Sequence, residues 1–141
     1  MGQIEKRELA NHRLSVAFER LKAAELLFAS GLYTDAVSRA YYAAFSAARA
    51  MLATKELDSR KHSGVISLFN QHFVKTGTVS REAGRVLMEA RDLREEGDYN
   101  DFYVANQEDA SRIIAGAKLF LFGIREVLVA TEPHGTSSGK D

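Results

Sequence analysis

The chain has 141 residues, a length that makes one domain the default and that buries roughly 68–70% of the surface an unfolded chain exposes. Its 19 Lys and Arg balance its 19 Asp and Glu, which excludes a generic polyanion binder and leaves any nucleic-acid contact to a local patch. It has no Cys, so disulfides, thiolate metal sites and cysteine nucleophiles are excluded, and its one Pro, Pro133, lies near the end.

The opening MGQIEKRELANHR carries charge and no apolar stretch, so no signal peptide is expected. Lys6 stands where the myristoylation pattern wants Ser or Thr. From about Glu5 to Ser30, Leu14, Ala17, Phe18, Leu21, Ala24 and Phe28 fall at helical spacing, and Gly31 is suited to end that helix. Thr34 or Asp35 then offers an N-cap oxygen for a second helix running to about Lys55. That helix is rich in Ala, at 36, 40, 43, 44, 47, 48, 50 and 53. Small side chains let neighbouring backbones approach closely, which predicts a central position for it.

Asp58, Ser59 and Arg60 read as a polar connection to a short third helix, about Ser63 to Val74. Ser80 suits the N-cap of a fourth helix that spans about Arg81 to Glu96 and is stopped by Gly97. Asp98 to Ala105 reads as a polar and aromatic linker. Asn106 caps the last helix, with Glu108 and Asp109 in its first turn, where the helix dipole favours negative charge. Its apolar face runs from Ile113 to Leu128, and Lys118, Arg125 and Glu126 make it too charged to span a bilayer.

These elements predict an all-α fold: an antiparallel four-helix up-and-down bundle with an additional short helix, over residues 1–130. Residues 131–141, rich in Gly, Ser and Thr, are expected to form a disordered tail. A cytoplasmic protein is expected. The exposed-looking aromatics Tyr33, Tyr41, Tyr42, Phe102 and Tyr103 suggest a dimer.

Most familiar chemistries lack their residues. There is no Glu-x-x-His pair of the kind a di-iron bundle uses; Glu8 and His12 read as an exposed helix pair, and His62 and His72 have no close carboxylate cluster. No metal and no cofactor are expected. No phosphate-binding Gly-x-x-x-x-Gly-Lys-Ser/Thr loop, Gly-x-Gly-x-x-Gly or Gly-x-Ser-x-Gly occurs.

The second helix is more telling. Arg39, Tyr42, Ser46 and Arg49 recur at i, i+3, i+7 and i+10, so they line one face for about three turns. Guanidinium forks match phosphate oxygens and Tyr rings stack on bases, so this face suits a nucleotide or RNA phosphate. The competing reading is structural: Arg39 snorkels, or pairs with an acid from another helix such as Asp98. His62, near the start of the third helix, joins the anion-binding face or is an ordinary surface histidine. Asp98 and Tyr99 either border that site or cover the bundle end.

Three blocks carry a family likeness: Asp35-Ala-Val-Ser-Arg39-Ala-Tyr-Tyr-Ala-Ala-Phe-Ser-Ala-Ala-Arg49, Lys61-His-Ser-Gly-Val-Ile-Ser-Leu-Phe-Asn-Gln-His-Phe-Val-Lys-Thr-Gly77, and Arg94-Glu-Glu-Gly-Asp98-Tyr99. In this order, across roughly residues 5–130, they resemble the HEPN-domain family, most closely its small stand-alone bacterial and archaeal members. The resemblance implies a helical bundle that forms a homodimer, often encoded beside a minimal nucleotidyltransferase in a toxin–antitoxin module. It also implies, for several members, a metal-independent ribonuclease whose active site forms across the dimer interface. The catalytic motif of that family is Arg, four to six residues, then His. Arg39 matches the Arg, and Ser46 stands at the His position; no His lies between Arg39 and His62. The His-x-Tyr extension of some members is absent, since Ala47 and Ala48 follow Ser46. A hydroxyl cannot replace an imidazole in proton transfer near neutral pH. The expected function is therefore a nucleotide- or RNA-phosphate-binding or interaction module built on Arg39, Tyr42, Ser46, Arg49, His62, Asp98 and Tyr99. The alternatives are a ribonuclease toxin that uses Arg39 with a noncanonical partner, and an accessory subunit that docks the nucleotidyltransferase.

Overall fold

The computed structural model describes residues 2–131, and among them there is no strand. Five α-helices follow in order: α1 (Gln3–Ala29), α2 (Tyr33–Ala53), α3 (His62–Phe69), α4 (Arg81–Tyr99) and α5 (Gln107–Ala130), with a π-helical segment at Asn70–Val74 directly after α3. The tail expected from residue 131 lies, apart from Thr131, outside the described residues.

The four long helices alternate in direction, and cross-helix partners establish it. Arg13, early in α1, donates to the Arg49 carbonyl late in α2 at 3.0 Å, while the Phe28 and Tyr33 rings meet at the other end at 5.3 Å. Arg7 donates to the Leu128 carbonyl at 2.7 Å and Lys118 reaches Glu25 at 3.7 Å, so α5 is antiparallel to α1. Arg112 pairs with Glu89, and the Arg94 guanidinium lies over the Tyr41 and Tyr42 rings, which sets α4 antiparallel to both α5 and α2. The expected up-and-down bundle is what the chain forms.

The Ala-rich α2 is central because each of its eight alanines is at most 2% exposed and the helix packs against the other four. Methyl-sized contacts admit close backbones; Leu14, Leu21, Leu52, Leu87, Leu121 and Ile124 fill the remaining space. Tyr41 is fully buried among them, so it is no part of an exposed aromatic surface. Tyr33 and Tyr103 pack on a smaller cluster of Val37, Ala105 and Ala110. Of the five aromatics read as surface residues, Phe102 is the one left almost wholly exposed, at 95%.

Three local features agree with the sequence reading. α1 ends in a Schellman arrangement: Gly31 has φ 79°, its N–H donates to the Phe28 carbonyl, and the Leu32 N–H donates to that of Leu27. The side chain of Ser80 accepts from the Ala83 N–H, and that of Asn106 from the Asp109 N–H.

Three features depart from it. Neither Thr34 nor Asp35 caps α2, which begins at Tyr33 with Leu32 before it and no side-chain cap. The Thr34 hydroxyl instead accepts from the Ala105 N–H at 3.0 Å, a tertiary partner that ties α2 to the α4–α5 connection. Gly97 does not stop α4, which continues to Tyr99. A Cβ at position 97 would stand 2.9 Å from the Thr34 methyl group, so the glycine serves close approach. The third helix, expected as one α-helix to Val74, widens after Phe69, and the Lys75 N–H donates to the Asn70 carbonyl five residues back at 2.8 Å.

Since α2 has no room on its Ala faces, Ala47→Leu is expected to destabilise the protein by about 1–3 kcal/mol in urea unfolding. Leu119→Ala, at a side chain 73% exposed, should stay within about 0.5 kcal/mol of the parent.

Candidate functional site

The outward edge of α2 is where polar groups gather. Arg39 is exposed, and its guanidinium makes no hydrogen bond or ion pair among the described residues. One turn on, Tyr42 is half-buried, meeting Tyr41 edge-on at 5.1 Å and His62 edge-on at 5.8 Å. Ser46 is 6% exposed, and its hydroxyl accepts from Arg20 of α1 at 2.6 Å. Arg49 is clamped by Asp58, with Nη2 at 2.9 Å from one carboxylate oxygen and Nε at 3.3 Å from the other.

His62, the first residue of α3, is drawn into this edge. Its Nδ1 lies 2.9 Å from the Tyr41 hydroxyl and its ring centre 4.2 Å from that of Phe45. Burial raises the Tyr41 pKa to about 12, against a smaller lowering by the Arg94 charge, so the phenol keeps its proton. With the phenol protonated and Nδ1 its hydrogen-bond partner among the described residues, the pair suits a Tyr41 O–H to Nδ1 bond, the tautomer that carries the ring proton on Nε2. Burial also holds the His62 pKa below the ordinary 6.5, and the charges of Arg94, Arg91 and Arg49 lower it further, with Glu95 opposing. At neutral pH the ring is uncharged and its Nδ1 lone pair is taken. With Nδ1 engaged by Tyr41, the ring is suited to present an N–H donor at Nε2.

Asp98 reaches this group through Arg94, which it binds at 2.9 Å one helical turn away. The idea that Asp98 pairs with Arg39 is therefore wrong: the carboxylate goes to the nearer guanidinium on its own helix. Arg94 lies 5.6 Å from the Tyr41 ring centre and 5.2 Å from that of Tyr42, and its buried Nε has no hydrogen-bond partner. Tyr99 stands apart, 81% exposed and without a hydrogen bond among the described residues.

A cleft of about 540 Å³ opens beside His62, lined by Phe45, Arg49, Asp58, Ser59, Arg60 and His62. Arg49 and His62 thus share one cavity, and Tyr42 touches it through its edge-on contact with the His62 ring; Asp98 does not line it and is held by Arg94 on its own helix. Arg39 lies farther along the same stripe, about 15 Å of helix from Arg49. A larger apolar groove of about 660 Å³ runs between α4 and α5, past Val86, Ile113 and Phe120, and holds none of these residues. Among the described residues no three His, Asp or Glu side chains gather where they could hold a metal ion, and no helix is long and apolar enough to cross a membrane.

Sequence reasoning missed Tyr41, Phe45, Arg20 and Arg94. Arg94 had a signal, its i, i+4 spacing to Asp98. Arg20 had none, because its partner is 26 residues away on another helix.

These features define a small all-α protein whose central helix turns a cationic, aromatic edge toward a cleft. The chain belongs to the HEPN-domain family, which matches residues 10–126. It is 40% identical over 122 residues to a protein of Methanocaldococcus jannaschii named as a candidate toxin, covering 86% of this chain and 90% of that one. A second so-named protein of the same organism is 34% identical, over 89% of this chain and 84% of its own length. A protein of Thermotoga maritima named only as UPF0332 is 36% identical, over 88% and 94%.

The imidazole C2–H resonance of His62 is expected to titrate with a midpoint below 6.5. Arg94→Gln removes the largest of the charges that lower it, so the midpoint should rise toward 6.5 in an NMR titration. In the unfolded chain this imidazole takes its proton near pH 6.5. The folded ring resists, so its stabilising contribution is complete above that pH. It is lost as pH falls from about 6.5 through the lower folded midpoint.

Proposed function

We propose that the chain is a cytoplasmic HEPN module that binds a nucleotide or RNA phosphate on the Arg39 edge of α2. In this reading it acts as a homodimer beside a minimal nucleotidyltransferase in a toxin–antitoxin-like system, with residues 1–130 as one unit. The observation that carries it is Arg39 itself, an exposed guanidinium with no ion pair or hydrogen bond among the described residues. Most other arginines are engaged: Arg7 on carbonyls, Arg20 on Ser46, Arg49 on Asp58, Arg94 on Asp98, Arg112 on Glu89. A planar fork left open one helical turn from Tyr42 matches phosphate oxygens, and the ring suits a base. The names of the two Methanocaldococcus relatives support the toxin–antitoxin setting.

Binding is favoured over cleavage because the groups that could move a proton are occupied. The Ser46 hydroxyl is held by Arg20, and the Nδ1 of His62 by Tyr41. Cleavage through a 2′-hydroxyl needs a base with a free lone pair at the reacting oxygen.

The test is thermal denaturation with ATP or a short RNA. At ligand about 100-fold above Kd the stabilisation is about 2.7 kcal/mol, several degrees for a domain of this size. Arg39→Ala should abolish the shift given by a short RNA that carries no terminal phosphate, while leaving the unliganded Tm near that of the parent. No shift at millimolar ligand overturns the reading. Cleavage of RNA in EDTA that Arg39→Ala abolishes replaces it with the ribonuclease one. A sedimentation mass near 15.6 kDa removes the dimer.

A further inference from the structure

The Asp58 carboxylate is surrounded as a bound oxyanion would be. Arg49 grips it with two nitrogens, at 2.9 and 3.3 Å. Arg13 of α1 adds a third contact, Nη2 to the same oxygen as the shorter Arg49 bond, at 3.3 Å. The Ser59 N–H donates to the other oxygen at 2.8 Å. Arg13 is itself oriented by its second arm, which donates to the Arg49 carbonyl at 3.0 Å. The cradle thus consists of two guanidiniums and one backbone N–H converging on a point, the donor set that recognises phosphate.

The parts differ in how firmly they are held. Both cations stand on helices, and the side chain of Arg13 is only 16% exposed. The acid stands on the connection between α2 and α3, with its side chain 45% exposed. Charge is also unbalanced. One carboxylate serves two guanidiniums, and Arg60, two residues on, is exposed in the same cleft with no ion pair among the described residues. Three guanidiniums against one carboxylate leave a surplus of positive charge at the mouth of a cavity of about 540 Å³.

We infer that Arg13, Arg49 and the Ser59 amide form a site for a terminal phosphate, and that the side chain of Asp58 occupies it as an internal competitor. Entry of phosphate turns Asp58 outward, where it can be solvated, and puts a dianion between cations that one carboxylate only half neutralises. A terminal phosphate carries about −1.5 to −2 at pH 7, so it suits this site better than a diester with a single charge. His62 and Arg60 line the same cavity and are suited to the remaining oxygens. This inference is independent of the Arg39 reading: the behaviour of RNA with the Arg39 variant does not enter its test.

The test is calorimetric titration of the full chain with inorganic phosphate. Asp58→Asn and Asp58→Ser remove the competitor and should bind phosphate at least about fivefold more tightly than the parent, a coupling of the ordinary size for linked equilibria. Adding Arg49→Gln to either variant should abolish the gain, and Arg81→Gln, at an exposed position outside the cleft, should leave it intact. The dinucleotide ApA, which has a diester and no terminal phosphate, should bind more weakly than AMP. Unchanged or weaker phosphate binding in a folded Asp58 variant overturns the inference. So does equal binding of ApA and AMP, and so does failure of both Asp58 variants to fold, which would make the carboxylate a structural clamp.

Discussion

The structure depends on a helix that meets its neighbours largely through alanine methyl groups. Along α2, methyl groups stand where larger residues would hold neighbours apart, and four other helices close on it. This constraint also decides where chemistry is placed. With its Ala faces committed to packing, the polar residues of α2 are confined to one narrow edge, and Arg39, Tyr42, Ser46 and Arg49 follow each other along it. The same closeness explains Gly97, since the end of α4 rests on the Thr34 methyl group with no space for a Cβ. Packing and site are therefore one design: small residues inward, long cationic and aromatic residues outward.

Along that edge, electrostatics separates groups of identical type. Arg20, Arg49 and Arg94 are each held by a neighbour, whereas Arg39 and Arg60 face solvent without one. His62 is governed by its surroundings in a similar way. Burial and three nearby guanidiniums favour its uncharged form, and the Tyr41 phenol lies within hydrogen-bond reach of Nδ1. An imidazole so placed donates a hydrogen bond, and the low local dielectric that opposes its charging strengthens that bond.

Helix number, order and direction were legible in the sequence because they follow from apolar spacing and capping residues, which are local. Ser80, Asn106 and Gly31 act as their types predict. Thr34 and Gly97 were misread because each answers to a residue far along the chain, Ala105 for the first and Thr34 for the second. The stripe of Arg39, Tyr42, Ser46 and Arg49 was visible as a spacing; what each side chain holds was not. Asp58 read as part of a polar connection, and nothing local shows that it bridges α1 and α2. Tyr41 falls on the apolar stripe of α2 with Val37, Ala44, Ala48 and Met51 as well as among the exposed-looking aromatics, and the stripe is what decides: one step along a helix from Tyr42 is a rotation of about 100° and carries it into the core.

The widened turn at Asn70–Val74 closes each hydrogen bond over one residue more than an ordinary helical turn does. The chain therefore stores a spare residue between the short helix and α4. Losing one position there would leave a continuous α-helix and keep the imidazole end in place, with the adjustment passed downstream to Lys75–Ser80. A one-residue deletion in this segment is expected to cost less than one in a buried stretch of α2, where it would rotate every methyl contact out of register.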